Sequence, residues 1–412
     1  MSTHRTHALL LPAVFVTSLG NNIQLIAAAL LIVRAQGSVL DVGWLFIAVA
    51  VPQAVLSPLF GRLADRFDRR TLWVACDALS ALAALAMPLG LALGGPRNAV
   101  VYGSNFVLAV IAALFVPVSA ALVKERVPAR ELRRFNAHYE MALQSGMLLS
   151  ATVGGIALQF FGPTPLCVFN GVTFAVSAVL VLATGRAGRQ AAAPKAAAAG
   201  APCPQAPVRP PLGPVIMLYA QGSVVVTVFN ALMPVLVIAD LHRGPAVVGV
   251  VDALGGAGFL VAAAAYRITG ARLGDLRLAL AGFLLCNVLF AAQPRFGVPG
   301  LLLLVPLGAF LFGQARIASR TLLMASVDEH RVGRAFGAAN GWGLAATVAV
   351  MLGTATVTAR AGTPAGFAAV AAVSALASVA SATWHRAARR SAHLARSLAP
   401  APAADLADRR PT

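Results

Sequence analysis

The sequence predicts an all-α membrane protein, with 12 transmembrane helices arranged as two pseudo-symmetric six-helix bundles. Three observations predict it. Of the 412 residues, 59% are hydrophobic and only 11% are charged, whereas a soluble domain carries about 25% charged residues. Apolar stretches near the roughly 20 residues needed to cross a bilayer recur along the chain between short clusters of Arg, Asp, Pro and Gly. Two stretches in the first half are echoed in the second.

The spans run over residues 9–33, 41–60, 72–94, 99–123, 138–161, 164–185, 213–239, 245–266, 276–293, 298–319, 335–359 and 363–384. Ala27 to Ala29 in the first resemble a leader cleavage site, but about 25 apolar residues exceed the core of a signal peptide. Eleven more spans follow, so the first is expected to be retained as helix 1. Helix 2 stops at the basic run from Gly61 to Arg70, helix 4 before Lys124 and Arg126, helix 8 before Arg272, and helix 10 before Val327 to Arg334. Ala, Gly and Leu fill the spans. Small residues let helices approach where lipid supplies no hydrophobic drive between them, so a packed bundle is expected.

Residues 186 to 214 hold ten Ala and seven Pro, a composition that favours an extended, unpacked linker. The chain therefore divides into a first bundle (1–185), a linker (186–212), a second bundle (213–384) and a basic tail read as unstructured (385–412). Arg62-Leu63-Ala64-Asp65-Arg66 after helix 2 is echoed by Arg272-Leu273-Gly274-Asp275-Leu276-Arg277 after helix 8. Val127-Pro128-Ala129-Arg130-Glu131, leading to Arg134-Phe135-Asn136-Ala137, is echoed by Val327-Asp328-Glu329-His330-Arg331, leading to Arg334-Ala335-Phe336-Gly337-Ala338. Halves repeated in the same orientation, about an axis along the membrane normal, are one of the two repeat plans of secondary transporters.

Net charge is +18. With both termini inside, inner segments hold 26 of the 32 Lys and Arg and outer loops hold five; the positive-inside rule then places those inner segments and both termini on the cytoplasmic side. The basic residues lie beside anionic headgroups, so no nucleic-acid partner is expected. Cys76, Cys167, Cys203 and Cys286 are far apart, and the seven His lack ligand spacing. Neither a disulfide framework nor a metal site is suggested. No phosphate loop, nucleotide fingerprint or nucleophile elbow stands outside the spans, so neither an enzyme nor a cofactor is expected.

Gly61-Arg62-Leu63-Ala64-Asp65-Arg66-Phe67-Asp68-Arg69-Arg70 resembles the loop signature of the major facilitator superfamily, with Asp68 in place of its usual Gly. The spacing of the loops after helices 4 and 10 is most similar to the bacterial exporter branch that contains macrolide and enterobactin efflux proteins. The resemblance implies a gate formed by Gly61, Asp65, Arg66, Arg69 and Arg70. Asp65 would bind Arg side chains and the exposed amides at the start of helix 11, while the Arg residues pair with acids of neighbouring loops. Gly146 to Gly155 on helix 5 resembles the superfamily's antiporter run, with Ser150 and Ala151 for its central Gly-Pro; simple helix packing accounts for it equally.

Polar side chains inside spans are costly and mark candidate sites. Asn21, Asn22 and Gln24 on helix 1, Gln144, Asn230, Arg316 and Asn340 are candidates for the substrate cavity. Gln221, Asn287 and Gln314 are further polar positions, and each of these residues serves equally as an interhelical hydrogen bond. Asn21 and Asn22 point about 100° apart, so only one or two helix 1 amides can face one cavity. Arg316 is read as an anion attractor or as an interhelical carbonyl contact. Asp252 lies about 10 Å from the outer end of helix 8 at 1.5 Å per residue. An isolated carboxyl in a low-dielectric cavity suits proton coupling; hydrogen bonding beside an outer vestibule is the alternative. Asp77 and Glu140 are read as latch or loop partners near the inner boundary.

The function expected from these features is secondary active transport by alternating access. The favoured form is proton-coupled efflux of a small amphipathic compound by a monomer, with import or facilitated passage of a metabolite as the alternative.

Overall fold

The computed structural model describes residues 3–36, 39–185 and 211–397. Their twelve long helices are α1 (Thr3–Gln36), α2 (Val39–Arg66), α3 (Arg69–Ala92), α4 (Arg97–Arg126), α5 (Leu132–Phe161), α6 (Pro163–Ala183), α7 (Leu212–Val235), α8 (Pro245–Leu273), α9 (Asp275–Ala292), α10 (Gly297–Ser326), α11 (Val332–Ala361) and α12 (Thr363–Ser397). A π-helical turn, Leu236–Asp240, continues α7. Eleven of the twelve are long and apolar enough over the described residues to cross a membrane; α5, with 30 residues, is the twelfth.

The packing repeats with a shift of six helices. In the first bundle α1 packs on α5 and α6, α2 on α4, and α3 on α4 and α6; in the second, α7 packs on α11 and α12, α8 on α10, and α9 on α10 and α12. Between bundles α2 meets α11 and α5 meets α8, which the same shift interconverts. Small residues set several of these approaches. A Cβ on Gly146 of α5 would lie 2.8 Å from the Phe15 carbonyl oxygen of α1, and one on Gly282 of α9 would lie 2.8 Å from that of Leu311 on α10. Gly154 also faces α1, at Ile23, so these glycines of the helix 5 run pack helix on helix. Phe160, Leu303, Leu352 and Leu376 are exposed on the outside of the bundles, as a hydrocarbon solvent requires.

Several helices outrun the apolar spans toward the end of the molecule that carries the basic loops, hereafter the basic end. Hydropathy marks the length in contact with lipid, while the hydrogen-bonded backbone continues into the headgroup layer where charges reach water. Two expectations change in consequence. Residues 385–397 are not an unstructured tail but the last turns of α12, built from Ala, Arg and Leu, which favour helix, with no Gly or Pro before Pro400. Arg320, counted with the inner loops, sits inside α10 and is buried. Most of the expected linker (186–210), the rest of the tail (398–412) and Cys203 lie outside the described residues.

Candidate functional site

A cleft of about 470 Å³ opens between the bundles, walled by α5, α7, α8 and α10 with Phe290 of α9. Phe229, Phe290, Phe312 and Met147 give it an apolar surface, and Glu140, Gln144, Ser223, Asn230, Asp252 and Arg316 supply its polar groups. An adjoining space of about 330 Å³ shares Gln144, Asn230 and Asp252 and adds Asn22 and Ile26 of α1. Five of the candidate residues scattered over the sequence thus meet in one place. Asp252 is exposed to the cleft and, among the described residues, has no ion-pair partner.

Arg316 enters from α10 against α7. Its Nη1 donates to the Tyr219 carbonyl oxygen at 3.1 Å and its Nη2 to Tyr219 Oη at 3.2 Å, and the guanidinium lies 4.2 Å from the centre of that ring. Gly222 makes the room, since a Cβ there would stand 3.0 Å from Nη1. The carbonyl contact foreseen for Arg316 therefore exists, and two of its five donors are spent on Tyr219.

Three expected cavity residues stand elsewhere. Asn21 and Gln24 line a separate chamber inside the first bundle, because α1 turns successive residues about 100° apart and presents Asn22 and Leu25, but neither Asn21 nor Gln24, to both spaces. Gln24, 1% exposed, accepts from Asn170 Nδ2 at 2.5 Å. Asn340 lies in the α2–α11 seam and donates from Nδ2 to Ser57 Oγ at 2.8 Å; Gly337 and Gly341 on the same face bring α11 against α2. Gln221 bonds Ser378, Asn287 bonds Ser374, and Gln314 bonds the Ala262 carbonyl, each between helices.

At the basic end Asp65 Oδ1 accepts from Gly333 N at 2.7 Å, and Oδ2 accepts from Arg334 N and Nε at 3.1 Å each. The carboxylate thereby caps the positive end of α11. A Cβ on Gly61 would stand 2.5 Å from the Gly333 carbonyl oxygen, so only glycine lets the two backbones come this close. Arg69 also crosses the seam, from Nη1 to Glu329 Oε1 at 2.9 Å and from Nη2 to the Glu329 carbonyl at 2.8 Å, while also pairing with Glu125 of its own bundle at 3.1 Å. Arg70 does not reach an acid of the opposite loops. It donates to the Val181 and Leu182 carbonyls at the end of α6, where free carbonyls attract a cation. Arg66 is exposed and makes no ion pair among the described residues.

Asp68 has an ordinary extended backbone (φ −62°, ψ 115°) and caps α3, its Oδ2 accepting from Thr71 N at 2.8 Å and Thr71 Oγ1 at 2.5 Å. Partial burial pushes its carboxyl upward, but the Thr71 hydrogen bonds and the nearby Arg70 and Arg126 outweigh that and hold it below the usual carboxylate range. The loop therefore needs no glycine here.

Two further links between bundles were not foreseen. Arg133, at the start of α5, binds Asp275 with both Nε and Nη2 at 3.0 to 3.1 Å, and Tyr266 Oη donates to the same carboxylate at 2.8 Å. The signal was present, since Asp275 occupies in the second echo the place of Asp65 in the first. Deeper, Arg320 of α10 pairs with Glu140 of α5 at 3.4 Å, with side chains only 6% and 4% exposed. Arg320 lies 3.9 Å from the Tyr139 ring centre, and its Nε donates to Asn136 Oδ1 at 3.4 Å. Glu140 is thus a bundle-to-bundle partner at the floor of the cleft. Asp77 is not a latch partner; it is buried within the first bundle and accepts from Ser177 Oγ at 2.7 Å. Among the described residues no group of three His, Cys, Asp or Glu is placed to hold a metal ion.

The comparisons with known proteins agree with this architecture. Over 160 residues the chain is 29% identical to the multidrug efflux pump Tap of Mycolicibacterium fortuitum, covering 37% of this chain and 39% of that one. Over 173 residues it is 26% identical to multidrug resistance protein 2 of Bacillus subtilis, covering 40% and 42%. The chain thus matches about two-fifths of the length of these relatives. In fold it is similar to a bacterial homologue of the iron transporter ferroportin in an outward-facing state, with TM-score 0.75, 17% identity, and 93% of this chain and 99% of that chain covered. It is also similar to the transporter FucP in the outward conformation, with TM-score 0.71, 14% identity, and 92% and 98% covered. The family model of the Major Facilitator Superfamily matches residues 10–342, and with twelve helices in two repeated bundles around a shared cleft the chain belongs to that superfamily of transporters.

Proposed function

We propose that this transporter exports a small amphipathic compound, a drug, antibiotic or metabolite, in exchange for protons. One observation carries the reading: a cleft walled by both bundles, apolar and aromatic on most of its surface, holds an exposed carboxylate, Asp252, among amides. Such a surface suits a large, weakly polar ligand. The kinship with proteins named multidrug efflux pumps supports the direction.

In this reading the protein works as a monomer in the bacterial cytoplasmic membrane. Its basic end and both termini face the cytoplasm, and residues 186–212 link the bundles. Asn22, Gln144, Asn230 and Arg316 contact the ligand. Asp252 takes up a proton when the cleft faces outward and releases it inward, as rocking of the halves requires. Gly61, Asp65 and Arg69 hold the cytoplasmic gate shut in the outward-facing state.

The test uses everted membrane vesicles, an imposed pH gradient and the fluorescent dye ethidium. Wild-type protein should accumulate the dye against its gradient. Asp252→Asn should abolish uphill accumulation while leaving downhill exchange near the wild-type rate. Uphill transport surviving in that variant would move the proton route away from Asp252.

A further inference from the structure

Arg320 belongs to α10 in the second bundle, yet its hydrogen-bond partners and its nearest ring stand on α5 in the first. Nε donates to Asn136 Oδ1 at 3.4 Å, Nη1 donates to Glu140 Oε1 at 3.4 Å, and the guanidinium lies 3.9 Å from the centre of the Tyr139 ring. Positions 136, 139 and 140 fall on one face of a helix, so one rigid element carries all three groups. The three residues are buried, and of them Glu140 also borders the cleft. The hold on Arg320 is loose. Charge-assisted bonds run at about 2.7 to 2.9 Å, and both bonds here are longer. Arg320 Nη2 is buried without a hydrogen-bond partner among the described residues. In its own bundle the guanidinium has Phe336, a more distant ring at 5.5 Å.

A carboxylate, an amide oxygen and the face of a phenol ring together suit a planar organic cation, and here they hold one that belongs to the opposite bundle. Opening the basic end, as alternating access requires, must draw α10 away from α5. Arg320 leaves with α10, while Asn136, Tyr139 and Glu140 stay together on α5. We propose that this face of α5 is a binding site for a planar organic cation, such as a guanidinium, amidinium or aromatic iminium compound, which Arg320 fills while the basic end is closed and vacates when it opens. The Glu140 carboxylate repels an anion, and a neutral ligand forgoes its charge. Reclosure returns Arg320 to Glu140 and displaces the ligand into the cleft that Glu140 already borders. Two cations thus compete for one carboxylate. The site deepens the export reading and rests on it for the direction of travel, but not on proton coupling at Asp252.

The experiment is equilibrium binding of ethidium, a planar aromatic cation, to the full-length protein in lipid nanodiscs, followed by fluorescence anisotropy. Glu140→Gln should weaken binding about fivefold or more. Arg320→Gln removes the internal competitor and should tighten binding by a similar factor, and the double variant should lose that gain. A pair that only braced the bundles gives the opposite sign for Arg320→Gln, because an unpaired buried carboxylate destabilises the fold and creates no site. Arg320→Lys keeps the charge but lacks the flat fork of donors; it should give a smaller gain in the same direction, and it decides the matter if Arg320→Gln does not fold. The neutral dye N-phenyl-1-naphthylamine should bind all variants alike. Ethidium binding that is unchanged in Glu140→Gln, no tighter in either Arg320 variant, or altered in step with the neutral dye would overturn the proposal. Binding at equilibrium needs no direction of transport. Wild-type vesicles that fail to accumulate ethidium while the binding order holds would therefore count against export alone.

Discussion

Along the α2–α11 seam backbone meets backbone, whereas along the α5–α8 and α5–α10 seams side chain meets side chain. The two sets of contacts descend from the same sequence echo. Asp65 stands in the last turn of α2 and Asp275 just beyond α8, the second helices of the two bundles, and each reaches the start of a helix in the other bundle, α11 or α5. Register explains the different partners. The second residue of α11 is Gly333 and the corresponding residue of α5 is Arg133. With no side chain at Gly333, Asp65 reaches the amides themselves; at Arg133 the side chain occupies the approach and receives Asp275 instead. Two turns further in, the same register sets Asn340, bonded to Ser57, against Glu140, paired with Arg320. A near-symmetric frame thus carries one seam fixed by steric closeness and another fixed by charge.

The largest expected effect breaks the backbone seam. Gly61→Leu would drive a side chain into the Gly333 carbonyl, and such overpacking against rigid backbone should cost the closed state about 3 kcal/mol or more. The control in the other seam is Gly256→Ala, whose new methyl meets only the flexible side chain of Leu148 and should cost about 1 kcal/mol or less. A single Cys at Ala137, buried near the start of α5, in a background lacking the four native Cys, reports both. Maleimide labelling from the basic end should rise strongly in Gly61→Leu and little in Gly256→Ala. Equal labelling would show that the seams do not differ in the way described.

Next come the two acids. Asp65→Asn keeps its shape but loses the charge that α11 amides and Arg334 recognise, a loss of about 1 to 2 kcal/mol. Asp275→Asn should cost less than about 1 kcal/mol, because Arg133 is 44% exposed and water screens and replaces much of the pair. Labelling at position 137 and the rate of ethidium export should both rank Asp65→Asn as the stronger lesion. The reverse ranking would make the side-chain seam the dominant one.

The smallest effect is expected at Asp68. Removing this cap with Asp68→Ala should cost α3 about 1 kcal/mol. Its carboxyl is held low in the folded protein, so its stabilisation is present above the ordinary carboxylate value of about 3.9 and is lost as pH falls through the lower, folded value. Melting followed from pH 6 to pH 3 should converge for wild type and Asp68→Ala at the acid end. Curves that stay parallel would mean that Asp68 does not cap through its charge. The second echo has no counterpart, since its loop turns at Gly274 (φ 80°) and Asp275 itself opens α9.

The sequence by itself determined the twelve spans, the division into halves and their repetition, because the length of an apolar run and a repeated loop are properties of neighbouring residues. The Asp65 contact with α11 was also expected, but through the resemblance of the Gly61 to Arg70 run to the superfamily's loop signature, not from spacing or composition. Only the tertiary structure decided where the embedded polar groups face. Asn22 and Gln24 are two residues apart, yet one borders the cleft and the other is buried in its own bundle. Asn340 is a seam residue only because glycines on its face admit α2. Arg320 reads as a boundary charge until α10 is seen to continue past the apolar span and carry it onto Glu140. Each outcome depends on how a helix is rotated about its axis and which distant helix packs against it, and in a bilayer that is settled by close packing between residues far apart in the chain.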